Sequence, residues 1–86
     1  MNGLSGFTRR DTLEVQHAIL KATIKPSCVS KIILKAGISH VAWKRIVPVL
    51  FEKGFLRTNG NGTFVTTAKG IEFMKVHDSL MRFLYE

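Results

Sequence analysis

Residues 27–54 read SCVSKIILKAGISHVAWKRIVPVLFEKG. Two apolar stripes at helical spacing lie in this stretch, with a glycine between them. In the first, Val29, Ile32, Ile33 and Ala36 point one way and Lys31 and Lys35 the other, which predicts a short helix capped by Ser27. Gly37 stands where a helix closes in the left-handed conformation. Only Ile38 separates it from Ser39, a second N-cap candidate, so another helix follows after a tight turn. That helix is predicted from about His40 to Lys53, with Trp43, Ile46, Val47 and Leu50 on its buried stripe and Gly54 closing it. Pro48 removes the backbone bond to the Lys44 carbonyl, a cost of ~3 kcal/mol in an ordinary helix interior. Because the apolar pattern continues through Leu50 and Phe51, a kink is expected there rather than a stop at Val47.

Upstream, Thr8 and Asp11 have capping-box spacing, and Leu13, Val15, Ala18, Ile19, Leu20 and Ala22 supply the stripe of a first helix that ends at Thr23 and Ile24, before Pro26. Downstream, Phe55–Thr58 and Thr63–Thr67 are β-compatible and flank Asn59, Gly60, Asn61 and Gly62, so a β-hairpin is expected with either Asn-Gly pair in the turn. Thr67 caps a last helix carrying Ile71, Phe73, Met74, Val76, Leu80, Met81, Phe83 and Leu84. Gly70 in its first turn costs ~1 kcal/mol relative to Ala. The class is mainly α with a β-hairpin: a flexible segment 1–7, a domain over 8–70 and a C-terminal helix over 67–86. Phe73, Val76, Leu80 and Phe83 recur at the seam spacing of a coiled coil. With Leu84 they are the expected interface of a homodimer, packing of the helix onto its own domain being the other reading.

The chain has 86 residues, enough for one small core, and hydrophobic residues make up 45 % of it. Cys28 is the only cysteine, so no internal disulfide is expected. No apolar run approaches the ~20 residues of a membrane span, and the first residues do not resemble a signal peptide, which leads to a cytoplasmic expectation. Lys and Arg number 13 against 6 Asp and Glu, a net charge of +7. Between Glu14 and Glu52 there is no carboxylate, while Lys21, Lys25, Lys31, Lys35, Lys44 and Arg45 fall there. A face of one sign favours a polyanionic partner, although scattered lysines are also an ordinary solvated surface. Toward the C-terminus Glu72, Lys75, Asp78, Arg82 and Glu86 alternate at spacings that let opposite charges pair along a helix.

Leu13-Glu14 with Ala18-Ile19-Leu20, Ala36-Gly37-Ile38-Ser39, Glu52-Lys53-Gly54-Phe55-Leu56 and Thr67-Ala68-Lys69-Gly70 together resemble the small archaeal winged helix-turn-helix DNA-binding proteins with a C-terminal dimerisation helix. The resemblance runs from Leu13 to Leu84. It implies a winged helix-turn-helix with a long C-terminal helix, double-stranded DNA as partner and an antiparallel homodimer. Pro48 departs from the pattern in the helix that would read DNA, and Thr66 stands where the family usually has an aliphatic strand residue.

The residues themselves point the same way. An α-helix fits the major groove, and its N-terminal residues reach the base edges. Here these are Ser39, His40, Val41, Lys44 and Arg45: Lys44 and Arg45 can donate to guanine or phosphate, His40 can donate or accept, and Val41 can meet a thymine methyl. Ser27, Lys31 and Lys35 are expected at the DNA backbone. Arg57, Asn59 and Asn61 of the hairpin wing can reach a minor groove or its phosphates, though Asn-Gly also serves turn geometry alone. Trp43 belongs with the core stripe. His17, His40, His77 and Cys28 fall in four segments with none of the spacings of a zinc site, so no metal or other cofactor is expected. Cys28 is read as an inert buried thiol, or as one whose pKa is lowered near a helix start. No phosphate loop or catalytic grouping is present, and a non-enzyme is expected. A transcriptional regulator is the leading reading. A DNA-coating architectural protein and a protein-interaction module are its rivals.

Overall fold

The computed structural model describes residues 13–85. The Thr8–Asp11 capping box and the 1–7 segment lie outside the described residues. Helix α1 covers 13–22. It is followed by strand β1 (Ser27–Cys28), α2 (Val29–Ala36), α3 (His40–Glu52), β2 (Leu56–Thr58), β3 (Thr63–Thr66) and α4 (Ala68–Tyr85). The strands form one antiparallel sheet in the order β1-β3-β2, with Ser27 opposite Phe64 and Arg57 opposite Val65.

Ile19, Leu20, Ile32 and Leu50 are fully buried, and Trp43, Ile46, Leu56 and Met74 complete the core between the helices and the sheet. Phe64 of β3 meets Trp43 edge to face at 5.3 Å between centroids and lies 6.1 Å from Phe51, which fastens the wing to the inner side of α3. Trp43 is therefore a core residue. Thr23, fully buried, shows how α1 ends. Its hydroxyl donates to the Ile19 carbonyl at 2.9 Å, and its own carbonyl accepts the Thr66 amide of β3 at 2.8 Å.

One expectation from sequence is corrected here. Ser27 does not cap α2. Cys28 holds the N-cap position without a side-chain bond, because Ser27 is drawn into the sheet against β3 and its hydroxyl donates to the carbonyls of Lys25 at 3.0 Å and Ala22 at 3.4 Å. In the hairpin, the Asn61-Gly62 pair takes the turn, both residues at positive φ, and the Thr63 amide donates across it to the Gly60 carbonyl at 2.9 Å. The Asn59 amide donates to the Thr63 carbonyl at 2.9 Å, with Gly60 also at positive φ.

Helix α3 runs through Pro48 to Glu52, so the proline does not end it. Pro48 and Lys44 are both exposed, and water can serve the carbonyl that loses its amide. Beyond Glu52, Lys53 is the C-cap and Gly54 takes φ 77°. The Phe55 amide reaches the Leu50 carbonyl at 2.9 Å, and the Gly54 amide reaches the Phe51 carbonyl at 3.0 Å, the pairing of a Schellman motif. The chain thus turns directly from α3 into β2.

Candidate nucleic-acid interface

Helix α3 presents two faces. Trp43, Ile46 and Leu50 point inward, while His40, Val41, Lys44 and Arg45 are exposed, Val41 to 74 %. Ser39 caps the helix, its hydroxyl oxygen accepting the Ala42 amide at 3.1 Å. No acidic residue occupies the first turn, so the positive end of the helix dipole is not neutralised from within the helix. The five residues expected to read DNA therefore share the exposed side or the N-terminus of one helix.

On α2, Lys31 and Lys35 are exposed, as expected. They line a shallow cleft of about 360 Å³ together with Lys25, Cys28 and Thr63 of the wing. Periodicity does not find Lys25 as a member of this group, because it lies outside every periodic segment. Its place in the carboxylate-free stretch is the available signal. Ser27 also borders the cleft but is buried, and its hydroxyl is committed to protein carbonyls, which removes that side chain from the expected backbone contacts. The exposed face of α2 also carries Leu34, exposed to 80 %, to which the sequence pattern assigns no role.

In the wing, Arg57 and Asn59 are joined by a 3.5 Å contact from the guanidinium Nη1 to Asn59 Oδ1, and the same nitrogen lies 3.4 Å from the Thr58 carbonyl. Asn61 sits in the loop at φ 53°. All three are exposed.

Cys28 is half-buried rather than buried. Its thiol pKa is lowered, first by the Ser30 hydroxyl 3.5 Å from Sγ and then by the Lys31 backbone amide.

On α4, Phe73 packs inward, stacked on Phe55 at 4.9 Å, with Met74 buried beside it. Val76, Leu80, Phe83 and Leu84 remain exposed, Leu80 and Leu84 on the side of the helix that carries Phe73 but two and three turns further on. The five seam residues thus separate into one that holds α4 to its own domain and four that are left exposed. Asp78, expected to pair along α4, instead lies with Oδ1 3.1 Å from His17 Nε2 of α1, within hydrogen-bond distance. His77 stacks on His17 at 4.4 Å. Two histidines that stand in separate segments of the sequence are therefore neighbours.

The winged helix-turn-helix family matches residues 9–84, and the chain belongs to that family. Among solved structures it is similar to the crystal structure of Sso10a-2, a DNA-binding protein from Sulfolobus solfataricus, with a TM-score of 0.72 and 20 % identity over 81 % of this chain and 77 % of that one. The fold expected from the sequence is borne out. No curated protein sequence matches the chain. Among the described residues no helix is long and apolar enough to cross a membrane.

Proposed function

We propose that the protein binds double-stranded DNA as a homodimer, with α3 in the major groove, and that it acts as a transcriptional regulator. The observation that carries this reading is the exposed face of α3. Two cations, an imidazole and a valine surround an N-terminus that lacks an acidic residue, within a stretch, 15–51, that contains no carboxylate. Arg45 offers a planar fork to guanine, and Val41 offers an apolar surface to a thymine methyl. Lys25, Lys31 and Lys35 supply phosphate contacts beside the helix, and Arg57, Asn59 and Asn61 extend them from the wing. The similarity to a DNA-binding protein of this fold supports the reading.

The homodimer rests on the exposed row of α4. Val76, Leu80, Phe83 and Leu84 are 49–83 % exposed at seam spacing. A second copy covering them would present two recognition helices to two half-sites.

Fluorescence anisotropy with labelled duplex DNA, titrated with salt, tests the docking element. Lys44→Ala with Arg45→Ala should weaken binding and flatten the log-log salt dependence by about 0.9 for each phosphate no longer neutralised. Unchanged affinity and slope would exclude α3. Retention of a selected duplex against a large excess of bulk DNA separates a regulator from a protein that coats DNA without sequence preference.

A further inference from the structure

We propose that His17, His77 and Asp78 form a binding site for a divalent transition-metal ion of the zinc type, tying α1 to α4. The three residues come from helices 60 or more positions apart in sequence, yet their potential ligand atoms all lie within 4.8 Å of one another. Asp78 Oδ1 is 3.1 Å from His17 Nε2 and 3.9 Å from His77 Nδ1. Ligand atoms held at the ~2.0 Å bond lengths of a tetrahedral zinc ion stand about 3.3 Å apart, between these two separations.

A second, independent observation is the state of His77. Both of its ring nitrogens are buried and make no hydrogen bond, although its side chain is only 13 % exposed. A buried imidazole with neither nitrogen satisfied is costly, and a metal ion bound at Nδ1 would relieve half of that cost. Two imidazoles and a carboxylate are a donor set suited to zinc, and they leave a fourth position for water.

The rings stack at 28° between planes, which sets their lone pairs side by side. Closing on a common ion therefore requires one ring to turn about its Cβ–Cγ bond while Asp78, 60 % exposed, swings to meet it. A cleft of about 290 Å³ bordered by His17, Asp78, Lys21 and Lys75 opens beside two of the three ligands. The two lysines oppose a cation, so neutral imidazoles and the Asp78 charge must outweigh them. The metal would fix the direction in which α4 leaves the domain.

Titrating the full-length chain with zinc by calorimetry, and with cobalt(II) by visible absorption, tests this. One ion per chain is expected, with the intense d–d bands of tetrahedral cobalt and a melting temperature that rises with zinc but not with magnesium. His77→Phe, which keeps a stacking ring, and Asp78→Asn, which keeps the shape of a side chain 60 % exposed, should each lower zinc affinity at least about tenfold. His40→Ala and Cys28→Ser should leave it unchanged. No binding by the native chain overturns the proposal. So does zinc affinity equal in the native and Asp78→Asn proteins, or binding that follows His40 or Cys28 instead.

Discussion

At Gly70 a Cβ atom would lie 2.5 Å from the Phe55 carbonyl oxygen and 3.2 Å from Thr66 Oγ1. The same Phe55 carbonyl accepts the Thr67 amide at 2.9 Å, so it cannot retreat without losing that bond. From sequence alone the glycine reads as a helix cost of ~1 kcal/mol. Its reason is the close approach of α4 to the chain entering β2, which no local pattern encodes. Gly70→Ala should therefore destabilise the fold by about 1–3 kcal/mol despite the better helix propensity of alanine, as measured by urea unfolding. A more stable variant would refute the packing account. Thr67, in contrast, is legible: its hydroxyl accepts the Gly70 amide at 3.1 Å, as an N-cap should, and also donates to the Gly54 carbonyl. Cys28 belongs to this scale as well. Hydrogen bonds from the Ser30 hydroxyl and the Lys31 amide favour its thiolate and lower its pKa in the folded protein. That contribution to stability is present above the unfolded pKa and is lost as pH falls through the folded one. Alkylation of Cys28 should accordingly have its pH midpoint below that of the urea-unfolded chain. Coincident midpoints would remove the effect.

At the scale of elements, the helices are legible because each carries a complete apolar stripe and a stop signal, as in Gly37 at φ 67° and Gly54 at φ 77°. Strand β1 is not. Two residues, Ser27 and Cys28, are too short for any alternation, and only the free edge of β3 makes them a strand. The same tertiary pairing displaces Ser27 from the cap that its residue type suggests. Helix α4 is half legible: periodicity finds the row Phe73, Val76, Leu80 and Phe83, but it takes the stacking of Phe73 on Phe55 to divide that row into packed and exposed members. Leu80→Asp with Phe83→Asp should therefore give monomers in sedimentation or light scattering with the domain still folded. Each monomer would engage one half-site and bind DNA more weakly. An unaltered mass would exclude the exposed row as the interface.

At the scale of the whole molecule, charge and burial divide the surface. The one-signed stretch over 15–51 places Lys25, Lys31 and Lys35 around one cleft and Lys44 and Arg45 on the exposed side of α3, whereas the exposed apolar row lies on α4. The sign of the charge is readable in the sequence; the grouping of Lys25 with the α2 lysines, and of His17 with His77 and Asp78, arises only when distant segments pack. Amide chemical-shift mapping by NMR during titration with a duplex tests the central claim most directly, since it registers weak and strong DNA contacts alike. The account predicts the largest changes at residues 39–45, smaller ones over 25–35 and 57–61, and little along the inward face of α4. Perturbations gathered on α4, with 39–45 unmoved, would contradict it.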